Sequence, residues 1–289
     1  GLEPLEDRRL LLVFNVNSFL DTVDVNVGNG VAADASGNTT LRAAIMEANA
    51  TPAADTINLP AGTYHLTRSG FAENGAVTGD LDITRSINIV GAGAQTTIID
   101  ASAVHDRIFD LFNSAAVEIR DLAITGGQAE SASTPSLEGY GGGLRADYYN
   151  TVTITNCAFN NNSAVDSPVG TGGAIFSAAR SLIVDTCQFA GNQVILGGGA
   201  IRASGTVDGK PGVVSVLNST FWNNSAREGG AIESHHKLTI EGSVFFNNLA
   251  AGQSGGAVQG DDLTIVNSTF SGNSAEYGGA IDAWGTSVS

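Results

Sequence analysis

From about residue 141 onward, apolar and polar positions alternate with a period of two, in runs of only four or five residues broken by Gly or Asn. Period two sends successive side chains to opposite faces of an extended chain, so these runs predict short β-strands joined by tight turns. One convincing helical stripe stands apart from them. Between Thr40 and Asn49, Leu41, Ile45 and Ala48 fall on one face, Thr40 is placed to cap the start and Pro52 closes the end.

The alternating runs recur. Gly-Gly-Gly-Leu at 141–144 returns as Gly-Gly-Ala-Ile at 172–175, 198–201, 229–232 and 278–281, and as Gly-Gly-Ala-Val at 255–258. A second phrase lies between these: Val152-x-Ile154-x-x-Cys157-x-Phe159, then the equivalents ending at Cys187-x-Phe189, Ser219-x-Phe221, Ser243-x-Phe245 and Ser268-x-Phe270. Asn follows each Phe by three residues, at Asn162, Asn192, Asn224, Asn248 and Asn273. Repeats of this length mean a solenoid, propeller or array, and a four-stranded blade needs about 40 residues. A coil of about three short strands per turn fits better.

Equivalent positions of stacked turns lie about 4.8 Å apart. Ile175, Ile201, Ile232, Val258 and Ile281 then form an inward aliphatic stack, Phe159 to Phe270 an aromatic one, and Cys157, Cys187, Ser219, Ser243 and Ser268 a small-residue one. Cys157 and Cys187 are within reach of a disulfide, but the three Ser that continue their column favour a buried ladder. The repeating Asn are expected in left-handed turn conformations, bonded to the backbone or to the Asn above, with paired Gly at another corner. Ala164–Thr171 and Ser204–Gly212 are expected to be outward loops.

Upstream the pattern weakens. Val117-x-Ile119-x-x-Leu122-x-Ile124, Ile87-x-Ile89, Ile98-Ile99 and Ile108-Phe109 read as strands of irregular earlier turns. An open solenoid end needs a cover, and residues 13–70 are assigned to that cap. Residues 71–289 form the β-helix, and 1–12 a separate leading motif. The chain opens without Met and closes inside the unit begun at Gly278, so it is expected to be part of a longer protein with coils missing at its carboxyl end.

Thr40-Leu41-Arg42-Ala43-Ala44-Ile45-Met46-Glu47-Ala48-Asn49, Ala54-Asp55-Thr56-Ile57, Leu59-Pro60-Ala61-Gly62-Thr63-Tyr64, Gly79-Asp80-Leu81-Asp82-Ile83 and Gly91-Ala92-Gly93 resemble the CSLREA domain, named for Cys-Ser-Leu-Arg-Glu-Ala. That domain opens many large exported bacterial parallel β-helix proteins. The Gly-Gly-Ala-Ile units resemble repeats of polymorphic outer-membrane and autotransporter-like proteins with the pectin-lyase fold. The resemblance implies an all-β chain: a single-stranded right-handed parallel β-helix with a short amino-terminal capping helix. It also implies a secreted, cell-surface or outer-membrane location, to which the similarity of Leu2–Leu11 to an export-associated motif adds. Ala32 and Thr39 stand where that family usually has two Cys, so no staple is expected there.

Composition narrows the partners. The 37 Gly have no three-residue period, which excludes collagen. Thirteen Lys and Arg against 29 Asp and Glu give a net charge of −16, which argues against nucleic acid and anionic membranes. No run approaches the roughly 18 apolar residues of a membrane span.

Candidate chemistry lies on the outward row after each Gly-Gly phrase: Arg145/Asp147, Phe176/Ala178, Arg202/Ser204, Glu233/His235, Gln259/Asp261 and Asp282/Trp284. Arg202, Glu233, His235 and Asp261 would meet on three consecutive turns. In a catalytic reading Arg202 binds a uronate carboxylate, His235 or Lys237 is the base, and Glu233 with Asp261 serve as acid or calcium ligands. In the plainer reading the row is polar and solvated. No metal site is written in the sequence and no cofactor is expected, calcium being the one left open. Asp21, Asp24 and Asn26 before Gly28 are at most a minor calcium candidate. The preferred reading is a secreted or surface structural and adhesive module, contacting polysaccharide or a cell-surface component through Trp222, Tyr277 and Trp284. The alternative is a polysaccharide lyase or glycoside hydrolase acting on an anionic polysaccharide.

Overall fold

The computed structural model describes residues 11–70, 73–129, 139–164 and 170–284. The leading motif, apart from its last residues, and the middle of the 164–171 loop lie outside the described residues. The chain winds as a parallel β-helix. One turn reads Ile175–Ser177, Ser181–Asp185, Gln188–Ala190 and Gln193–Val194, so a full coil has four short strands where the repeat predicted about three. Successive turns stack into parallel sheets of 15, eight and five strands. The largest covers two faces, because Ile232–Glu241 and Val258–Val266 run through a corner unbroken, with a register shift between Ser234 and Lys237.

The stacking register follows the repeats. Leu144, Ile175, Ile201, Ile232, Val258 and Ile281 are Cα partners in sequence. Phe159, Phe189, Phe221, Phe245 and Phe270 form a parallel column with centroids 4.6–4.9 Å apart and planes within 7°. The first four are fully buried. That offset face-to-face spacing is imposed by the strand spacing itself.

The Asn column divides its work differently from the expectation. Left-handed φ falls on the residue before each ladder Asn: Asn161, Gly191, Asn223, Asn247 and Gly272. The ladder Asn keep ordinary backbone and use their side chains. Asn192 Nδ2 donates to the Phe159 carbonyl at 2.9 Å and to Asn224 Oδ1 at 2.9 Å, and Asn224 Oδ1 also accepts the Asn192 N–H at 3.0 Å. The motif repeats from Asn162 to Asn273. Each side chain thus satisfies buried backbone groups that a corner removes from the sheets.

Cys157 and Cys187 are free and buried. The Cys157 N–H points to Cys187 Sγ at 3.4 Å, the Cys187 N–H to Ser219 Oγ at 3.0 Å, and the Ser219 N–H to Ser243 Oγ at 3.1 Å. Small hydrogen-bonding side chains fill this column. The corner before it is also left-handed, at Asn156, Thr186, Asn218, Gly242 and Asn267. Thr186 alone is β-branched there, which is a poor fit to that conformation. Thr186→Asn is expected to raise stability by about 1 kcal/mol, measured as a higher urea midpoint with an unchanged slope.

At the amino end Val13–Asn15 pairs with Asp55–Asn58, which pairs with Ile87–Val90. Helix α1 (Leu41–Ala50) packs on Asp55–Asn58 and Leu81–Ile83, and Thr40 Oγ1 accepts the Ala43 N–H at 3.1 Å as its cap. Thr39 Oγ1 donates to the Ala32 carbonyl at 2.9 Å, so a hydrogen bond joins the two positions where the resembling family carries Cys. Arg42 is fully buried. Its guanidinium pairs with Asp21 and donates to the carbonyls of Ala76, Gly79 and Asp80, tying helix, loop and first coil together.

Candidate functional site

Cα pairing aligns Asp82, Asp110, Arg145, Phe176, Arg202, Glu233, Gln259 and Asp282 in one row across eight turns. A solvated row was the plain expectation, and it does not hold. Asp82, Asp110, Arg145, Phe176, Glu233 and Gln259 are all buried. Loops and neighbouring rings cover the face: Tyr140 packs on Phe176 at 4.7 Å, and the Arg145 guanidinium lies 5.2 Å from the Phe112 ring.

Further along, the four residues proposed to meet do so. Arg202 Nη1 pairs with Glu233 Oε2. His235 Nε2 lies 3.2 Å from Glu233 Oε1 and its Nδ1 lies 3.0 Å from Asp261 Oδ2. Glu233 is buried, Arg202 and His235 are part-exposed, and the Asp261 side chain is 45% exposed. Glu233, donated to by the imidazole, raises the His235 pKa above its ordinary value; burial opposes this and Asp261 adds to it. Two carboxylates facing the two ring nitrogens favour N–H on both, the direction in which the pKa moves, while Arg202 Nη2 lies 3.5 Å from Nε2. His236 turns to the other side, where its Nε2 meets the Gly205 carbonyl at 3.0 Å and burial lowers its pKa. Lys237 lies beyond the bend on the next face, exposed.

A raised folded-state pKa means that His235 contributes stability below its unfolded pKa of about 6.5 and loses it as pH rises through the folded value. A proton NMR titration of His235 should give a midpoint above 6.5, and Glu233→Gln should bring it down. A wild-type midpoint below 6.5 would contradict the assigned geometry.

The three aromatic candidates do not converge. Trp222 is half-buried on the eight-stranded sheet, its ring parallel to that of Phe246 at 5.9 Å. Tyr277 and Trp284 are 63% and 60% exposed; Tyr277 ends the strand Ser274–Tyr277 and Trp284 follows the strand Ile281–Ala283. Trp284 continues the row of His235 and Asp261: Gly260 pairs with Ala283, and the Trp284 N–H donates to the Gly260 carbonyl at 3.0 Å. Its indole Nε1 donates to Asp282 Oδ2 at 2.8 Å.

Asp21 and Asp24 do not assemble a calcium loop. Asp21 is spent on Arg42 and on the Thr67 and Arg68 N–H groups; Asp24 Oδ1 accepts from the Asn26 N–H while its buried Oδ2 has no hydrogen-bond partner, and neither belongs to a group of three metal-ligating side chains among the described residues. A carboxylate group that the sequence reading did not single out sits at the cap: Asp80, Asp82 and Asp110, all buried, with one oxygen of each within 4.8 Å of the others. Burial and neighbouring carboxylates push Asp82 up to about 7 and Asp80 well above its usual range. The sequence signal was Asp80-Leu81-Asp82, two acids on one side of a strand.

A chain of stacked parallel coils whose outer row carries one partly open polar network is a parallel β-helix protein. Residues 109–288 match the family model described as a right handed beta helix region, and the chain belongs to that family. Among curated proteins, it is 32% identical over 117 residues to metabotropic glutamate receptor-like protein R of Dictyostelium discoideum, covering 40% of this chain and 7% of that protein's length. Among solved structures, rice weevil pectin methyl esterase aligns over 94% of this chain and 90% of its own, at 12% identity and a TM-score of 0.39. The A-module of the Azotobacter vinelandii mannuronan C-5 epimerase AlgE4 aligns over 96% of this chain and all of its own, at 13% identity and a TM-score of 0.32. No helix among the described residues is long and apolar enough to cross a membrane.

Proposed function

We propose that this chain is an exported, surface-displayed β-helix module, a rigid rod that binds polysaccharide at the outer face of its last turns. The observation that carries the reading is the register of Trp284, which falls beside the His235–Asp261 pair. Sugar rings stack on exposed aromatic faces while neighbouring polar groups take their hydroxyls. Asp261 and His235 supply such groups, and Tyr277 offers a second exposed ring at the end of the preceding strand. The continuous ladders favour a rod, whose coils are stiffened along their whole length.

The second reading, a lyase or hydrolase acting on an anionic polysaccharide, draws on the convergence of Arg202, Glu233, His235 and Asp261. Against it, Arg202 is already paired with Glu233, and both ring nitrogens of His235 already face carboxylates. Incubation with uronate polysaccharides, followed by ultraviolet absorbance and reducing-end release, separates the two. Binding without product supports the module. Unsaturated product that disappears in His235→Ala or Arg202→Ala would establish the enzyme instead.

A further inference from the structure

Three buried carboxylates, Asp80, Asp82 and Asp110, converge at the junction between the cap and the first coils. Asp82 and Asp110 are Cα partners on adjacent turns, and Asp80 lies just ahead of the strand Leu81–Ile83 that carries Asp82. Arg107 Nη1 contacts Asp80 at 3.4 Å and Asp110 at 2.6 Å, and Arg145 closes on both Asp110 oxygens. Arg42 is matched to Asp21 and to backbone carbonyls. Glu73 and Asp106 line the same corner, accepting from the Thr78 and Asp80 N–H groups.

One oxygen of this group is left without a partner. Asp82 is fully buried; its Oδ2 accepts the Ala76 N–H at 2.8 Å, while its Oδ1 has no hydrogen-bond partner. A buried carboxylate oxygen without a partner is strongly unfavourable. Here it belongs to the three-carboxylate group whose oxygens approach within 4.8 Å of one another. An all-oxygen set built partly on an irregular loop suits a hard cation with flexible coordination, calcium over magnesium.

We infer that Asp80, Asp82 and Asp110 hold a calcium ion that clamps the loop at 73–80 onto the first two coils of the row. The site is separate from the Arg202–Asp261 network and independent of the polysaccharide reading. It is also not among the calcium positions that the sequence suggested.

The test uses the whole chain, stripped with EDTA and titrated with calcium chloride alone, with magnesium chloride as the comparison. Calcium should raise the unfolding temperature by about 5 °C at a hundredfold excess over its Kd, and magnesium should do less. Asp82→Asn keeps the acceptor for the Ala76 N–H, so it should fold in EDTA and lose the calcium-dependent rise; Asp80→Asn gives the same readout should Asp82→Asn fail to fold. No calcium response in the wild type, an equal response to magnesium, or a response that survives both substitutions overturns the assignment. So does a calcium-indifferent wild type that Asp82→Asn stabilises above pH 7, since a proton on Asp82 would then stand in the place of the ion.

Discussion

Replacing Gly230 by alanine is expected to destabilise the helix by about 3 kcal/mol, the upper end of the range for overpacking. The second Gly of the phrases at 172–175, 198–201, 229–232 and 255–258 faces the backbone of the next turn. A Cβ on Gly230 would lie 2.2 Å from the Gly256 carbonyl oxygen and 2.7–2.8 Å from backbone atoms of Leu249. Neither neighbour is a flexible side chain that can swing aside, so two coils must separate. The same contact recurs at Gly173, Gly199 and Gly256, each against the glycine carbonyl one turn on. Gly260→Ala is the control: its φ is ordinary and its nearest neighbours would lie at 3.6 Å and 3.8 Å. Urea unfolding should show a large fall in midpoint for Gly230→Ala and almost none for Gly260→Ala. Equal effects would mean that the close approach of the coils is not what selects glycine.

Asn224→Ala should destabilise by a similar amount through a different mechanism. The substitution strands the Asn192 N–H and Asn192 Nδ2, which both donate to Asn224 Oδ1, and leaves the Phe189 carbonyl without the Asn224 Nδ2 donor. All three groups are buried, and each orphaned group costs about 1–3 kcal/mol. Some relaxation is expected, which places the total near 3 kcal/mol rather than at the sum. Asn273→Ala, in the part-exposed last turn, should cost less, because water can reach the groups it abandons. Denaturant midpoints of the two variants check both the size and the gradient along the rod.

The repeating half of the fold was legible because its constraints are local and periodic. A phrase that recurs in register must stack in register, so the Ile and Phe columns and the meeting of Arg202, Glu233, His235 and Asp261 could be placed before any coordinates. Two kinds of feature could not. The left-handed corner sits one residue before the ladder Asn, and Asn161, Asn223 and Asn247 hide it by placing Asn at both positions. Period alone does not say which of two adjacent asparagines bends the chain and which bonds along it. Burial of the outward row depends on segments that do not repeat: Tyr140 over Phe176, and Ala76 with Arg42 over the acidic corner. Asp80, Asp82 and Asp110 consequently looked like ordinary polar positions of irregular strands. Trp284, in contrast, falls in the His235–Asp261 row by simple counting.

The most direct test of the proposed function is a glycan array probed with wild type and Trp284→Ala in parallel, with His235→Ala alongside. The proposal predicts a defined set of bound glycans, lost at least tenfold in affinity in Trp284→Ala, a change of about 1.4 kcal/mol, and weakened in His235→Ala. Trp222→Ala should bind normally, because that ring is stacked on Phe246 on another sheet. Undiminished binding in Trp284→Ala, or no glycan bound by the wild type, would contradict it.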